Sequence, residues 1–182
     1  MKKISGYDEA QALTGEYEVL DAGGYICKIL NAKEEKSQSG KDMLVIAFDI
    51  EEGDHKDYFK RRFDNDTRAD KKWPVNGIYR QMLEGEKAAG YFKGLITSLE
   101  ASNPNFKWDW DENKLKGLKF GGLFGREQYE AFDGSLKFST KLQFIRSVEK
   151  IKSGDFQIPQ DKLLNKKQED EFITVSDDEL PF

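Results

Sequence analysis

Cysteine and histidine are nearly absent from this chain of 182 residues: each occurs once, as Cys27 and His55. A single cysteine excludes an intrachain disulfide. One of each leaves too few ligands for a Cys/His metal cluster and no basis for Cys–His catalysis within one chain. Cys27 lies in the apolar run "GYICKIL", which predicts a buried small hydrophobe rather than a nucleophile. His55 lies in the charged turn "EEGDHKD", without the context of a Ser-His-Asp triad. Long apolar runs are missing too. Nothing approaches the roughly 18 residues of a membrane span, and no apolar stretch follows the lysines of "MKKISGYDEA" as a signal peptide requires. A cytoplasmic protein without a membrane partner is expected.

Phosphate-loop chemistry is also lacking. "GLKFGGLFG" has the glycines but not the lysine and hydroxyl that would hold a nucleotide and its magnesium, so strand curvature explains those glycines better. The carboxylates of "DWDENK" and "FDNDTRAD" do not follow the spacing of a calcium loop. The expectation is a protein that is not an enzyme and carries no metal or cofactor.

What is present is charge and aromatic surface. Charged residues make up 35% and aromatics 13% of the chain, against 37% hydrophobic. That mixture suits a folded body with a solvated appendage. The formal charge of −5 is uneven: residues 151–182 hold four lysines and eight acids, a net of −4, which leaves −1 for 1–150. We therefore expect a domain over 1–152 and a disordered acidic tail over 153–182.

Period-two patterning predicts strands in "GGYICKILNAKEEK" and "DMLVIAFDIEE", where Leu44, Ile46, Phe48 and Ile50 share a face. A shorter third strand is expected in "KDYFKRRFD". A helix is expected over 78–101, best in "YFKGLITSLEAS", where Phe92, Leu95, Ile96 and Leu99 fall at i, i+3, i+4 and i+7. Two more strands follow, "LKGLKFGGLFGREQYE" with a bend or bulge at its glycines, and "LKFSTKLQFIRSVEKI". In the latter, Leu136, Phe138, Leu142 and Phe144 are assigned one face. Three strands, a helix and two strands is the order of a mainly β, five-stranded oligonucleotide/oligosaccharide-binding (OB) barrel, with one helix between strands three and four. Any other mixed sheet of the same order is the alternative.

Between Lys56 and Trp73 the sequence interleaves seven cations (Lys56, Lys60, Arg61, Arg62, Arg68, Lys71 and Lys72) with Tyr58, Phe59, Phe63 and Trp73. Cations that track phosphates and flat rings that stack on bases are what single-stranded nucleic acid requires. An edge strand protected by charge reads the same way. Adjacent Tyr58 and Phe59 must then point to opposite sides, so only one faces a ligand. Lys137 and Lys141 on the last strand, with Arg126 and Tyr129 ending the one before, extend the candidate DNA-binding set. Trp108 and Trp110 in "WDW" read as packing of the helix junction, or else as a stacking pair.

The chain closes on "SDDELPF". Asp177, Asp178, Glu179, Leu180, Pro181 and Phe182 form an acidic peptide ending in an aromatic anchor, suited to a pocket rimmed by basic groups. These residues resemble the acidic tip of bacterial single-stranded-DNA-binding proteins, which recruits replication, recombination and repair proteins. The body, in "AGGYICKILNA", "MLVIAFDIEEG", "FKGLITSLEASNPNFKWDWDE" and "LKGLKFGGLFGREQYE", is similar to the single-stranded-DNA-binding proteins of phages and prophages of Gram-positive bacteria. The resemblance covers about 22–150. It implies an OB-type fold, sequence-tolerant binding of single-stranded DNA, a place in phage replication or recombination, and residence in the host cytoplasm. A homo-oligomer is compatible with it. The rival expectation is an OB-like adaptor or inhibitor that binds host proteins and no DNA.

Overall fold

In a computed structural model of the chain, the described residues are Ser5, Tyr7 and 18–164. The expected partner-binding tip at 177–182, and most of the expected tail, lie outside them. Four expected strands are present: β1 at Gly23–Lys36, β2 at Asp42–Ile50, and, further along, Lys119–Glu130 and Leu136–Arg146.

The expected third strand is instead a helix, α1, Tyr58–Asn65. Its side chains meet at helical spacing: Arg62 donates to the Tyr58 hydroxyl at 3.1 Å, and Lys60 pairs with Asp64. The helix starts here because of a residue far back in the sequence. The buried Asp49 carboxylate on β2 accepts the Phe59 and Lys60 amides at 2.9 and 2.8 Å, besides that of Ile50 at 2.8 Å. These first-turn N–H groups have no partner within the helix, so a carboxylate placed there both satisfies them and meets the positive end of the helix dipole. Burial raises the Asp49 pKa above its ordinary value, and the three amides counter that effect.

The actual third strand, β3, is Ile78–Met82, at the start of the expected helix. Gly85 takes a φ of 126°, a backbone open to glycine alone at low cost. The helix, α2, then runs over Ala88–Ser102. The last two strands are β4, Lys119–Glu130, and β5, Leu136–Arg146, and a short helix, α3, follows at Val148–Ser153.

The strands form one antiparallel five-stranded sheet of order β3-β2-β1-β4-β5. Its inner face carries Leu44, Ile46, Phe48 and Ile50 of β2, with Leu95, Ile96 and Leu99 of α2 in the same core. Phe48 is the hub, its ring 5.5 Å from Phe59, 5.6 Å from Phe120 and 6.1 Å from Phe124. Fully buried rings of this size supply much of the apolar burial that holds a small domain together. Cys27 is buried, and burial drives its thiol pKa well above the ordinary value, so it is an inert core residue.

Among the described residues no strand pairing joins β3 to β5, so the sheet is not closed into a barrel. The seam is bridged by side chains. Asn76, just before β3, donates to the Ser139 hydroxyl at 2.8 Å and the Thr140 carbonyl at 3.3 Å. The Thr140 hydroxyl in turn donates to the carbonyl of buried Leu20 at 2.5 Å.

The glycines of β4 serve close approach. A Cβ on Gly121 would lie 2.6 Å from the Ser147 carbonyl and collide with Ile151 of α3. β1 pairs with β4 only as far as Phe124, which leaves the rest of that edge open. After α3 the chain returns to fill it: Lys162 donates to the Arg126 carbonyl at 2.9 Å and accepts from the Gln128 amide at 2.8 Å.

Candidate nucleic-acid interface

Two neighbouring regions carry the candidate residues. The first is the outer face of β1 and β2, walled by α1 and the loop after it. Here Lys28, Leu30, Lys60, Phe63 and Trp73 line a groove of about 400 Å³, together with Asp49, Glu51, Asp57 and Asp64. Phe63 and Trp73 are half-buried, with rings 5.7 Å apart and tilted by 38°. The Lys71 ammonium sits 4.6 Å from the Phe63 ring centroid. The Trp73 indole N–H is fixed by the Gly77 carbonyl at 3.1 Å, so one wall of the groove is preset.

Tyr58 and Phe59 do not join them. They are 4% and 0% exposed, and the Tyr58 hydroxyl donates to the Glu18 carbonyl at 3.0 Å. The alternation that would have put one ring outside belongs to a strand. In a helix, neighbours 58 and 59 share the buried side, so neither is open to a base.

Arg61 is also turned away, pairing at 2.6 Å with Glu18, which His55 holds at 2.6 Å as well. Partial burial raises the Glu18 pKa, but Arg61 and His55 outweigh it and leave the carboxyl below its ordinary value. Arg68 is clasped by Asp66 at 2.6 Å, and this holds the Asp66 carboxyl at about 2. Arg62, Arg68 and Lys72 border a second hollow of about 280 Å³ that also reaches Asn76, the residue bridging to β5. Lys56 is exposed in the turn before α1.

The second region is the β4–β5 hairpin, which projects past the end of β1. Arg126 lies 5.0 Å over the Phe138 ring, and Arg146 5.3 Å over that of Phe144. Tyr129, Phe138 and Phe144 are each 41–44% exposed, and Phe132 at the turn is fully exposed. Lys137 is exposed and makes no ion pair among the described residues. Lys141 pairs with Glu127 at 3.2 Å, and Arg126 is gripped by Asp161, with Nε to Oδ1 at 2.9 Å. Burial raises the Glu127 pKa, yet Lys162 and Lys141 bring it below the ordinary value.

Several candidate cations are thus held by acids, with Asp66 and Glu127 partly buried and both Arg68 and Arg126 gripped through two guanidinium nitrogens. A phosphate that meets these cations must displace a carboxylate.

Phe138 and Phe144, expected on one face of β5 with Leu136 and Leu142, lie on opposite faces of the sheet, and both are partly exposed. Phe124 faces Leu142 while Leu123 faces Phe144, so Gln143 is an extra residue that reverses the side on which Phe144 lies. Arg80 was hidden within the expected helix. It is half-buried opposite Val45 on the outer face of β3, and burial lowers its pKa from the ordinary value. Nothing within "LKFSTK", where Leu136 and Phe138 alternate with polar residues as in a half-buried strand, marks Phe138 as exposed.

The two tryptophans of "WDW" part company: Trp108 packs against the core, while Trp110 is 80% exposed and stacked on Phe92 at 6.0 Å. Among the described residues no group of three or more His, Cys, Asp or Glu is placed to hold a metal, and no helix is long and apolar enough to cross a membrane. No protein-family model matches the chain, and no curated protein matches its sequence.

Proposed function

We propose that this chain is a non-enzymatic, sequence-tolerant single-stranded-DNA-binding protein with an OB-like body. The observation that carries this reading is the ring–cation pair Arg126–Phe138 on the projecting part of the β4–β5 hairpin, with a second pair, Arg146–Phe144, on the opposite face of the sheet. Guanidinium and ring together offer a base a stacking platform and its phosphate a counter-charge. The strand order supports it further. β3-β2-β1-β4-β5 is what results from opening a five-stranded OB barrel between its third and fifth strands, with α2 after the third. In such barrels the outer face of the early strands and the loops beside it receive oligonucleotides, and here that face carries the groove of Phe63 and Trp73.

The sequence resemblance extends the proposal to phage DNA replication or recombination in the host cytoplasm. Asp177, Asp178, Glu179, Leu180, Pro181 and Phe182 would recruit replication and recombination proteins. A protein-binding adaptor is the second reading, favoured by the fully exposed Phe132 at the hairpin turn, since a bare apolar side chain also suits a protein partner.

Titration of the full chain's tryptophan fluorescence with oligo-dT at several salt concentrations separates the two. The DNA reading expects saturable quenching, with affinity falling steeply as salt rises, because phosphate contacts release counterions. Absence of binding at low salt overturns it in favour of the adaptor.

A further inference from the structure

The groove beside α1 has a chemistry that backbone binding alone does not explain. It is lined by the rings of Phe63 and Trp73, by Leu30, by Lys28 and Lys60, and by four carboxylates, of which Asp49 is buried and the other three form the rim. Three of the four are engaged. Asp49 holds three backbone amides, Glu51 faces Lys28 at 3.7 Å, and Asp64 pairs with Lys60. Asp57 is different. It is exposed and attracts the Lys60 ammonium from a distance, but its carboxylate makes no hydrogen bond or ion pair among the described residues. Its backbone sits in the left-handed region at φ 57°, which aspartate and asparagine tolerate better than other side chains.

An ionised carboxylate only accepts hydrogen bonds, so a base held against this rim must offer donors. Thymine presents one ring N–H between two carbonyls, whereas cytosine and adenine each present an amino group beside an acceptor nitrogen. Only guanine has two adjacent donors, N1–H and the N2 amino group, that match both oxygens of one carboxylate. From this juxtaposition of aromatic wall and unengaged acceptor we infer that the groove is a base-selective subsite for guanine. The ring lies against Phe63 and Trp73, and the Watson–Crick edge donates to Asp57. The inference rests on the single-stranded-DNA reading and refines it: one position along an otherwise tolerant path has a preference.

The test uses the purified full chain and labelled oligonucleotides of about twelve nucleotides, within the span of a single OB-type site. Three are compared: oligo-dT, alternating dT/dG, and alternating dT with deoxyinosine, which lacks only the N2 amino group. The dT/dG strand should bind about tenfold more tightly than oligo-dT, the scale of one good bidentate contact, and inosine should lose most of that gain. In Asp57→Asn, which keeps the backbone conformation but breaks the double acceptor, the ratio between dT/dG and oligo-dT should fall towards one. Taking the ratio within each protein cancels any general change in affinity. Equal binding of all three strands by the wild type overturns the subsite, as does a ratio that survives Asp57→Asn. Failure of every strand to bind at low salt overturns the DNA reading instead.

Discussion

α1 and the β4–β5 hairpin are built from the same kinds of residue and use them in opposite ways. Each mixes aromatic rings with lysine and arginine. On α1 the rings of Tyr58 and Phe59 go inward, and the cations are left outside or drawn to neighbouring acids. On the hairpin Phe132 is fully exposed and Phe138 is partly exposed, with Arg126 over its ring. The difference is the presence of a second layer. α1 lies on a core centred on Phe48, where burying a ring removes a large apolar area from water. The hairpin extends beyond β1, and among the described residues the buried core does not reach its outer part. A cation–aromatic stretch therefore becomes a packed element or an open platform according to what lies behind it.

The largest effect should come from breaking the packed side. Phe59→Ala should cost about 3–5 kcal/mol, as for other fully buried aromatics, read as a lower urea midpoint. A loss below about 1 kcal/mol, the level of an ordinary surface change, would mean that the ring is not the core anchor described. Phe138→Ala probes the open side. It should change stability by no more than about 0.5 kcal/mol, while weakening oligo-dT binding by about 1–3 kcal/mol for the lost stacking contact. A large stability loss with unchanged binding would reverse the contrast.

The smallest effect is a titration in the loop after α1. Asp66, held by Arg68, should titrate at about 2 rather than at its ordinary 3.8. Its folded pKa is depressed, so the stability it contributes is complete above 3.8 and is lost as the pH falls through about 2. Carboxyl chemical shifts followed by NMR would read this directly. Titration of Asp66 at its ordinary value would show that Arg68 is free to meet a phosphate without competition.

Much of the sheet was legible from the chain because period-two patterning records a strand with a buried face. Leu44, Ile46, Phe48 and Ile50 read correctly, as did the α2 stripe of Leu95, Ile96 and Leu99. α1 was not legible. The signal that starts it is the Asp49 carboxylate on another element, and a local window sees only the alternation of aromatics and cations. β3 was lost for the complementary reason: its five residues abut a helix, and the turn at Gly85 that separates the two falls inside the single helix expected over 78–101.

The candidate site divides in the same way. Phe63, Trp73, Tyr129, Lys137 and Lys72 are at least partly accessible. Tyr58 and Phe59 are buried. Phe138 and Phe144 depended on where β1 ends and where β5 bulges, and neither is written in their own neighbourhood.

The pairing of Lys162 with the far half of β4 fixes where the rest of the chain departs. Leu164, the last described residue, donates its amide to the Gln128 side chain at 3.3 Å. Everything beyond it is therefore tethered at the hairpin, not at the α2 side of the molecule. Eighteen residues follow, 165–182, a contour of at most about 60 Å at full extension. Under the recruitment proposed above, a partner held by Phe182 would be confined to that radius around Arg126 and Phe138. Its effective concentration at the hairpin would then be set by the length of the leash rather than by its abundance in the cell.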